Sequence, residues 1–100
     1  MTTTQTTWTG SLTIAQRIIR AYRVLTAGTR TWIYISDLRD LMDYSDAEVD
    51  AVLRQLSLRC DCHLAPEANQ KVLTAEQRAG AVRFGGKDQH LILIEPGFQL

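Results

Sequence analysis

Cysteine and histidine side chains, which suit metal binding and nucleophilic chemistry, concentrate in one short segment. Cys60, Cys62 and His63 lie in RCDCH, and His90 is the other histidine of the chain. Thiolate and imidazole groups bind zinc, but C-x-C-H lacks the usual zinc spacing, and successive residues of a strand point to opposite faces. We therefore predict a buried structural thiol here, with no metal site and no cofactor.

No catalytic motif is recognisable elsewhere in the chain. The sequence shows no nucleophile with its base, no glycine-rich phosphate loop and no pair of clustered carboxylates. We therefore do not expect an enzyme, and function has to be sought in binding surfaces.

The charges are segregated along the chain. Eleven basic and eleven acidic residues give a formal net charge of zero, so the long-range attraction of a basic protein to nucleic acid is missing. Residues 1–35 contain arginines and no acid, whereas residues 36–50 contain acids with Arg39 as their one base. Any nucleic-acid binding must therefore come from local basic patches.

The start of the chain, MTTTQTTWTG, lacks both the basic and the apolar region of a signal peptide. No apolar run approaches the roughly 20 residues that span a bilayer. We expect a cytoplasmic protein that does not enter the membrane, with its cysteines reduced.

The hydrophobic pattern divides the chain into elements. Residues 1–11 are polar and without periodicity, which predicts a flexible N-terminal arm. A helix is predicted from Thr13 to a stop at Gly28, on the apolar stripe of Ile14, Ile18, Ala21, Tyr22 and Leu25. The run TRTWIYIS predicts a strand, and Ser36 is the expected N-cap of a short second helix.

The second half of the chain has its own helix and strand signals. Ser45 followed by Glu48 forms a capping box for a third helix from Asp46. HLAP predicts a short strand. Thr74 predicts the start of a fourth helix that runs through Val82 to Gly85 and Gly86, and HLILIE predicts a buried last strand.

The predicted fold class is therefore α+β, in the order helix, strand, helix, helix, strand, helix, strand, with a small antiparallel sheet. The domain covers residues 12–96, and residues 97–100 form a C-terminal tail.

The segment WIYISDLRDLMDYSDAEVDAVLRQL resembles the core of winged-helix domains, which have a short strand, a positioning helix, a turn and a recognition helix. The resemblance implies that the third helix enters the major groove of DNA. Residues 67–89 depart from the pattern, because a short hairpin wing usually joins the last two strands.

On this resemblance the DNA-reading residues of the third helix are Arg54 and Gln55, with the small Ala47 and Ala51 permitting close approach. Asp46, Glu48 and Asp50 at the helix start would oppose phosphate, unless they serve only the cap and the helix dipole. Further basic candidates for DNA contact are Lys71, Arg83 and Lys87 near the glycine turn, and Arg17 and Arg20 on the first helix.

We predict a DNA-binding regulator that acts as a homodimer and contacts mainly phosphate. The alternative is a module that docks a protein partner through Asp46, Ala47, Asp50 and Ala51 of its acidic third helix. A third hypothesis is a subunit that self-associates through the edge of its sheet.

Overall fold

The computed structural model describes the backbone of residues 6–59 and 61–98 and the side chains of residues 13–59 and 61–98. Its helices are α1 (Thr6–Thr26), α2 (Ile35–Arg39), α3 (Asp46–Leu56) and α4 (Ala75–Ala79), with a 3₁₀ turn at Gln70–Val72. Its strands are β1 (Ile33–Tyr34), β2 (Cys62–Ala65), β3 (Val82–Phe84), β4 (Lys87–Gln89) and β5 (Leu91–Ile94). The protein is an α+β domain, and none of its described helices is both long and apolar enough to cross a membrane.

Strand β5 lies at the centre of an antiparallel sheet with the order β1-β5-β2. Ile92 pairs with Ile33 on one side and with Leu64 on the other. A central strand is covered on both faces, and the apolar run HLILIE meets this requirement with Ile92, Leu93 and Ile94 all buried. The strand predicted over HLILIE is therefore confirmed.

The helices bury the stripes that their periodicity predicts, except at Leu25 of the predicted α1 stripe, which is 41% exposed. Ile14, Ile18 and Tyr22 of α1 are buried, and α1 packs against α3, which buries Val49 and Leu53. The capping box at Ser45 is present: Glu48 N–H donates to Ser45 Oγ at 3.2 Å, and Ser45 N–H donates to Glu48 Oε1 at 3.1 Å. Local sequence signals and tertiary packing therefore agree in this part of the chain.

Helix α1 starts earlier than its periodicity predicts, at Thr6, so it reaches into the residues assigned to a flexible arm. Residues 1–5 of that arm lie outside the described part of the chain. The helix ends at Thr26, where Ala27 and Gly28 both have positive φ, and Gly28 N–H donates to Arg23 O at 3.0 Å. This is the left-handed C-terminal cap expected of a helix that stops before glycine.

Two predicted boundaries around β1 are wrong. The strand comprises Ile33 and Tyr34 alone, and Ser36 is not an N-cap, because α2 already begins at Ile35 and Tyr34 occupies the cap position. Ser36 is instead buried inside the helix, where the backbone of Gly80 packs against it.

The predicted fourth helix is too long. α4 ends at Ala79, and Val82 belongs to β3, which pairs with β4 as an antiparallel hairpin. Gly85 and Gly86 have φ of 66° and 79° and form the two-residue turn of this hairpin, not a helix stop. The predicted tail also differs, because Phe98 is almost fully buried in the core.

The segment between β2 and β5 folds back onto the helices. α4 packs against α2, and β3 packs against α3. Val82 joins the hydrophobic core with no exposed surface. The hairpin is therefore anchored to the domain through its first strand.

The carboxylate of Glu95 joins three parts of the fold. Arg30, which precedes β1, donates to both carboxylate oxygens, with Nε 2.7 Å from Oε1 and Nη2 3.2 Å from Oε2. Nε2 of His63 on β2 lies 3.1 Å from Oε2. The hydrogen bond from Arg30, with a smaller contribution from His63, lowers the pKa of Glu95 from its ordinary value.

Gly80→Ala should destabilise the protein by about 1–3 kcal/mol, because overpacking against rigid backbone forces a shift. A Cβ at this position would lie 2.8 Å from the Cα of Ser36. Gly97→Ala is the matched control, since a Cβ there meets nothing within 4 Å. Chemical denaturation measures both variants, and equal stability of the two would contradict the packing argument.

Glu95→Gln should destabilise the protein near neutral pH and do so less as the solution is acidified. A carboxyl group whose folded-state pKa is lowered stabilises the fold above its unfolded-state pKa, and this contribution is lost as pH falls through the folded-state pKa. Unfolding free energies measured from about pH 6 to about pH 3 should therefore converge for the two proteins. Glu76→Gln on exposed α4 controls for the loss of one carboxylate. A stability difference that is constant with pH would refute the assignment.

Candidate functional site

Arg39 bonds three acceptors, on α3 and at the end of α4, with one guanidinium group. Its Nε donates to the carbonyl of Gly80 at 2.9 Å, its Nη2 donates to Asp50, and its Nη1 lies 3.4 Å from Asp46. Its side chain is only 12% exposed. Arg39 therefore fixes α3 and the α4–β3 connection relative to α2.

The acids at the start of α3 have structural partners. Asp50 is 23% exposed and pairs with Arg39, and Glu48 closes the capping box. Asp46 pairs with Arg39 more loosely and is 80% exposed. Of the alternative docking surface predicted from the sequence, Asp46, Ala47 and Ala51 are exposed, whereas Asp50 is partly buried.

Arg54 connects α3 to the hairpin. Its Nε donates to the carbonyl oxygen of Arg83 at 2.8 Å, while the residue stays exposed. Among the described residues, its two Nη groups have no partner, so they are available to an external acceptor. Gln55, the neighbouring candidate, is also exposed.

The hairpin presents its own cations beside Arg54. Lys87 is exposed at the start of β4, and Arg83 is paired with Asp88 at 3.3 Å, with both side chains more than half exposed. Gln89 is buried and donates to the carbonyl of Phe84 at 2.9 Å, which braces the turn. We use the name α3–hairpin surface for the exposed residues Arg54, Gln55, Arg83 and Lys87 together. Lys87 pairs with Phe84 and Arg83 with Asp88, so the side chains of Arg83 and Lys87 leave opposite faces of the hairpin.

The remaining predicted DNA contacts lie elsewhere. Lys71 is exposed on the 3₁₀ turn, and its backbone N–H is bonded to Asn69. Arg17 and Arg20 belong to an open groove of about 800 Å³, to which neither α3 nor the hairpin contributes a residue. We call this the α1 groove; it is lined by Thr13, Gln16, Arg17, Ile19, Arg20, Arg23, Val24 and Phe98.

The cysteine and histidine candidates serve the fold. Cys62 is buried, and burial raises the pKa of its thiol to about 12, so it is a poor nucleophile and a poor metal ligand. His63 contacts Glu95, and Nδ1 of the buried His90 accepts the backbone N–H of Glu67 at 3.1 Å. Cys60 lies outside the described residues, and within the described part no three His, Cys, Asp or Glu side chains are arranged to bind a metal.

Sequence reasoning missed the role of Arg39 and the hairpin. The one base among the acids of residues 36–50 was the available signal for the former, since a lone arginine among carboxylates is a natural internal partner. For the hairpin, the signal was the Gly-Gly pair between two short polar-apolar runs.

Arg39→Met should lower the free energy of unfolding by about 1–3 kcal/mol, because the Gly80 carbonyl and Asp50 lose their partner in a partly buried site. A double-mutant cycle with Asp50→Asn should give a coupling energy above about 0.5 kcal/mol. The same cycle with Asp46→Asn is the matched control and should give less, since exposed ion pairs contribute little. Equal coupling in the two cycles would contradict the geometry.

Comparisons with protein-family models, with curated proteins and with solved structures found no significant match. The functional conclusion therefore depends on the geometry and charge of the α3–hairpin surface and of the α1 groove.

Proposed function

We propose that the protein is a winged-helix DNA-binding domain that acts as a transcriptional regulator. The sheet order β1-β5-β2, with α2 and α3 between β1 and β2, supports this proposal. The β3–β4 hairpin lies between β2 and β5, at the point in the chain where such domains have their wing. Here the hairpin follows α4 and does not join the two strands directly.

The bond from Arg54 Nε to the Arg83 carbonyl carries the proposal. It holds the C-terminal half of α3 and the first strand of the hairpin together, so the guanidinium of Arg54 lies beside the backbone of β3. Because Nε is already bonded, the guanidinium of Arg54 is oriented before any ligand arrives. Its Nη groups, which have no partner in the described part of the chain, can then donate to a phosphate or to a base edge with little further ordering.

Arg39 weakens the objection that α3 begins with acids. Asp50 and Asp46 are both paired with its guanidinium, so part of their charge is compensated within the fold. The acids also lie in the first turns of the helix, whereas Arg54 lies in its last turn. DNA would therefore approach the C-terminal half of α3 and the hairpin.

Contacts on this surface would be mostly to phosphate. Lys87 offers a point charge, and Gly85 and Gly86 allow the backbone of the turn to approach closely. Arg54 and Gln55 are the residues that would contact base edges. One such module gives limited affinity, so we expect two copies on a site.

The double variant Arg83→Ala with Lys87→Ala should weaken binding to specific and random duplexes alike. Each lost phosphate contact should also flatten the dependence of log affinity on log salt by about 0.9. Fluorescence titration at two salt concentrations measures both effects. Lys71→Ala is the matched control, since it removes an exposed cation that lies outside the α3–hairpin surface.

Two results would overturn the proposal. One is an absence of DNA retardation by the folded protein at low salt. The other is a loss of affinity in Lys71→Ala as large as that in the double variant, because DNA would then be responding to overall charge and not to this surface.

A further inference from the structure

The α1 groove combines exposed cations with exposed apolar surface. Arg17, Arg20 and Val24 are spaced by three and four residues, so they share one side of α1. Arg17 and Arg20 are exposed and form no ion pair with another described residue, and Val24 is 67% exposed. Arg23 closes one end by donating from Nη2 to the carbonyl of Phe98 at 2.7 Å.

A second surface of the same chain has the opposite charge. Asp37, Asp40 and Asp43 are exposed on α2 and the turn that follows it, and none of them pairs with another described residue. Arg39 does not compensate them, because its guanidinium is bonded to Asp46, Asp50 and Gly80. Leu41, between two of these acids, is 51% exposed. We call Asp37, Asp40, Leu41 and Asp43 the acidic turn.

We propose that the α1 groove binds the acidic turn of a second copy of the chain. The two surfaces are complementary in charge and in hydrophobicity, since arginines would face aspartates and the exposed Leu41 would cover Val24. A chain of zero net charge has no overall repulsion between copies, so these local attractions act unopposed.

The contact is independent of the proposed DNA binding, because neither surface contains Arg54 or Lys87. Binding between two different surfaces of one chain closes into a symmetric pair only if both contacts form at once, and otherwise extends along a row of copies. In either arrangement the association depends on attraction between the arginines of the α1 groove and the aspartates of the acidic turn, so salt should weaken it.

Two charge-reversed variants test the proposal by sedimentation velocity over a range of protein concentrations. The groove variant carries Arg17→Glu and Arg20→Glu, and the turn variant carries Asp40→Arg and Asp43→Arg. Each variant alone should remain monomeric where the unmodified protein associates. An equimolar mixture should associate again, because the acidic groove of one variant faces the basic turn of the other, and the two unmodified surfaces also match.

Circular dichroism establishes that both variants fold, and Lys71→Glu is the control for a change of net charge outside both surfaces. Raising NaCl from about 50 mM to about 500 mM should weaken association of the unmodified protein at least about tenfold. Leu41→Ser should weaken it without altering this salt dependence. The proposal is overturned if the unmodified protein stays monomeric at low salt, or if the mixture of folded variants does not associate.

Discussion

The guanidinium of Arg39 adds directional bonds to the packing that brings α2, α3 and the end of α4 together. α2 and α4 each have five residues, too few to be stable helices alone. Arg39 bonds the carbonyl at the end of α4 and the carboxylate of Asp50 on α3 from a position on α2. The planar fork of arginine satisfies several acceptors at fixed angles, which a lysine in the same place would not do.

The placement of the hairpin follows from this constraint. Gly80 both accepts from Arg39 and packs against Ser36, so the chain enters β3 at a fixed point beside α2. Two residues later Val82 enters the core, and one residue beyond that the carbonyl of Arg83 accepts from Arg54. The exposed cations of the hairpin thus depend on buried contacts made immediately before them.

Sequence periodicity predicted those elements that bury a long stripe or run of apolar residues. The stripes of α1 and α3, the Ser45 capping box and the central strand β5 all have strong local signals, and the structure confirms them except at Leu25, which is exposed. The hairpin has three residues in each strand, which is too short for alternation to compete with the helix signal from Thr74. Ser36 was taken for a cap because the packing of Gly80 against it is a long-range contact that no local pattern encodes.

The charge pattern of the sequence showed where acids and bases are concentrated, but not which of them form ion pairs. The charged residues of 36–50 are all acidic apart from Arg39, whereas folding gives these acids three different environments. Glu48 closes the capping box. Asp46 and Asp50 are paired with Arg39, while Asp37, Asp40 and Asp43 are exposed on α2 and the turn that follows it. Asp46 and Asp50 share α3 with Arg54. By pairing with them, Arg39 lowers the negative charge beside the proposed DNA contact, and it leaves the aspartates of the acidic turn without a compensating charge.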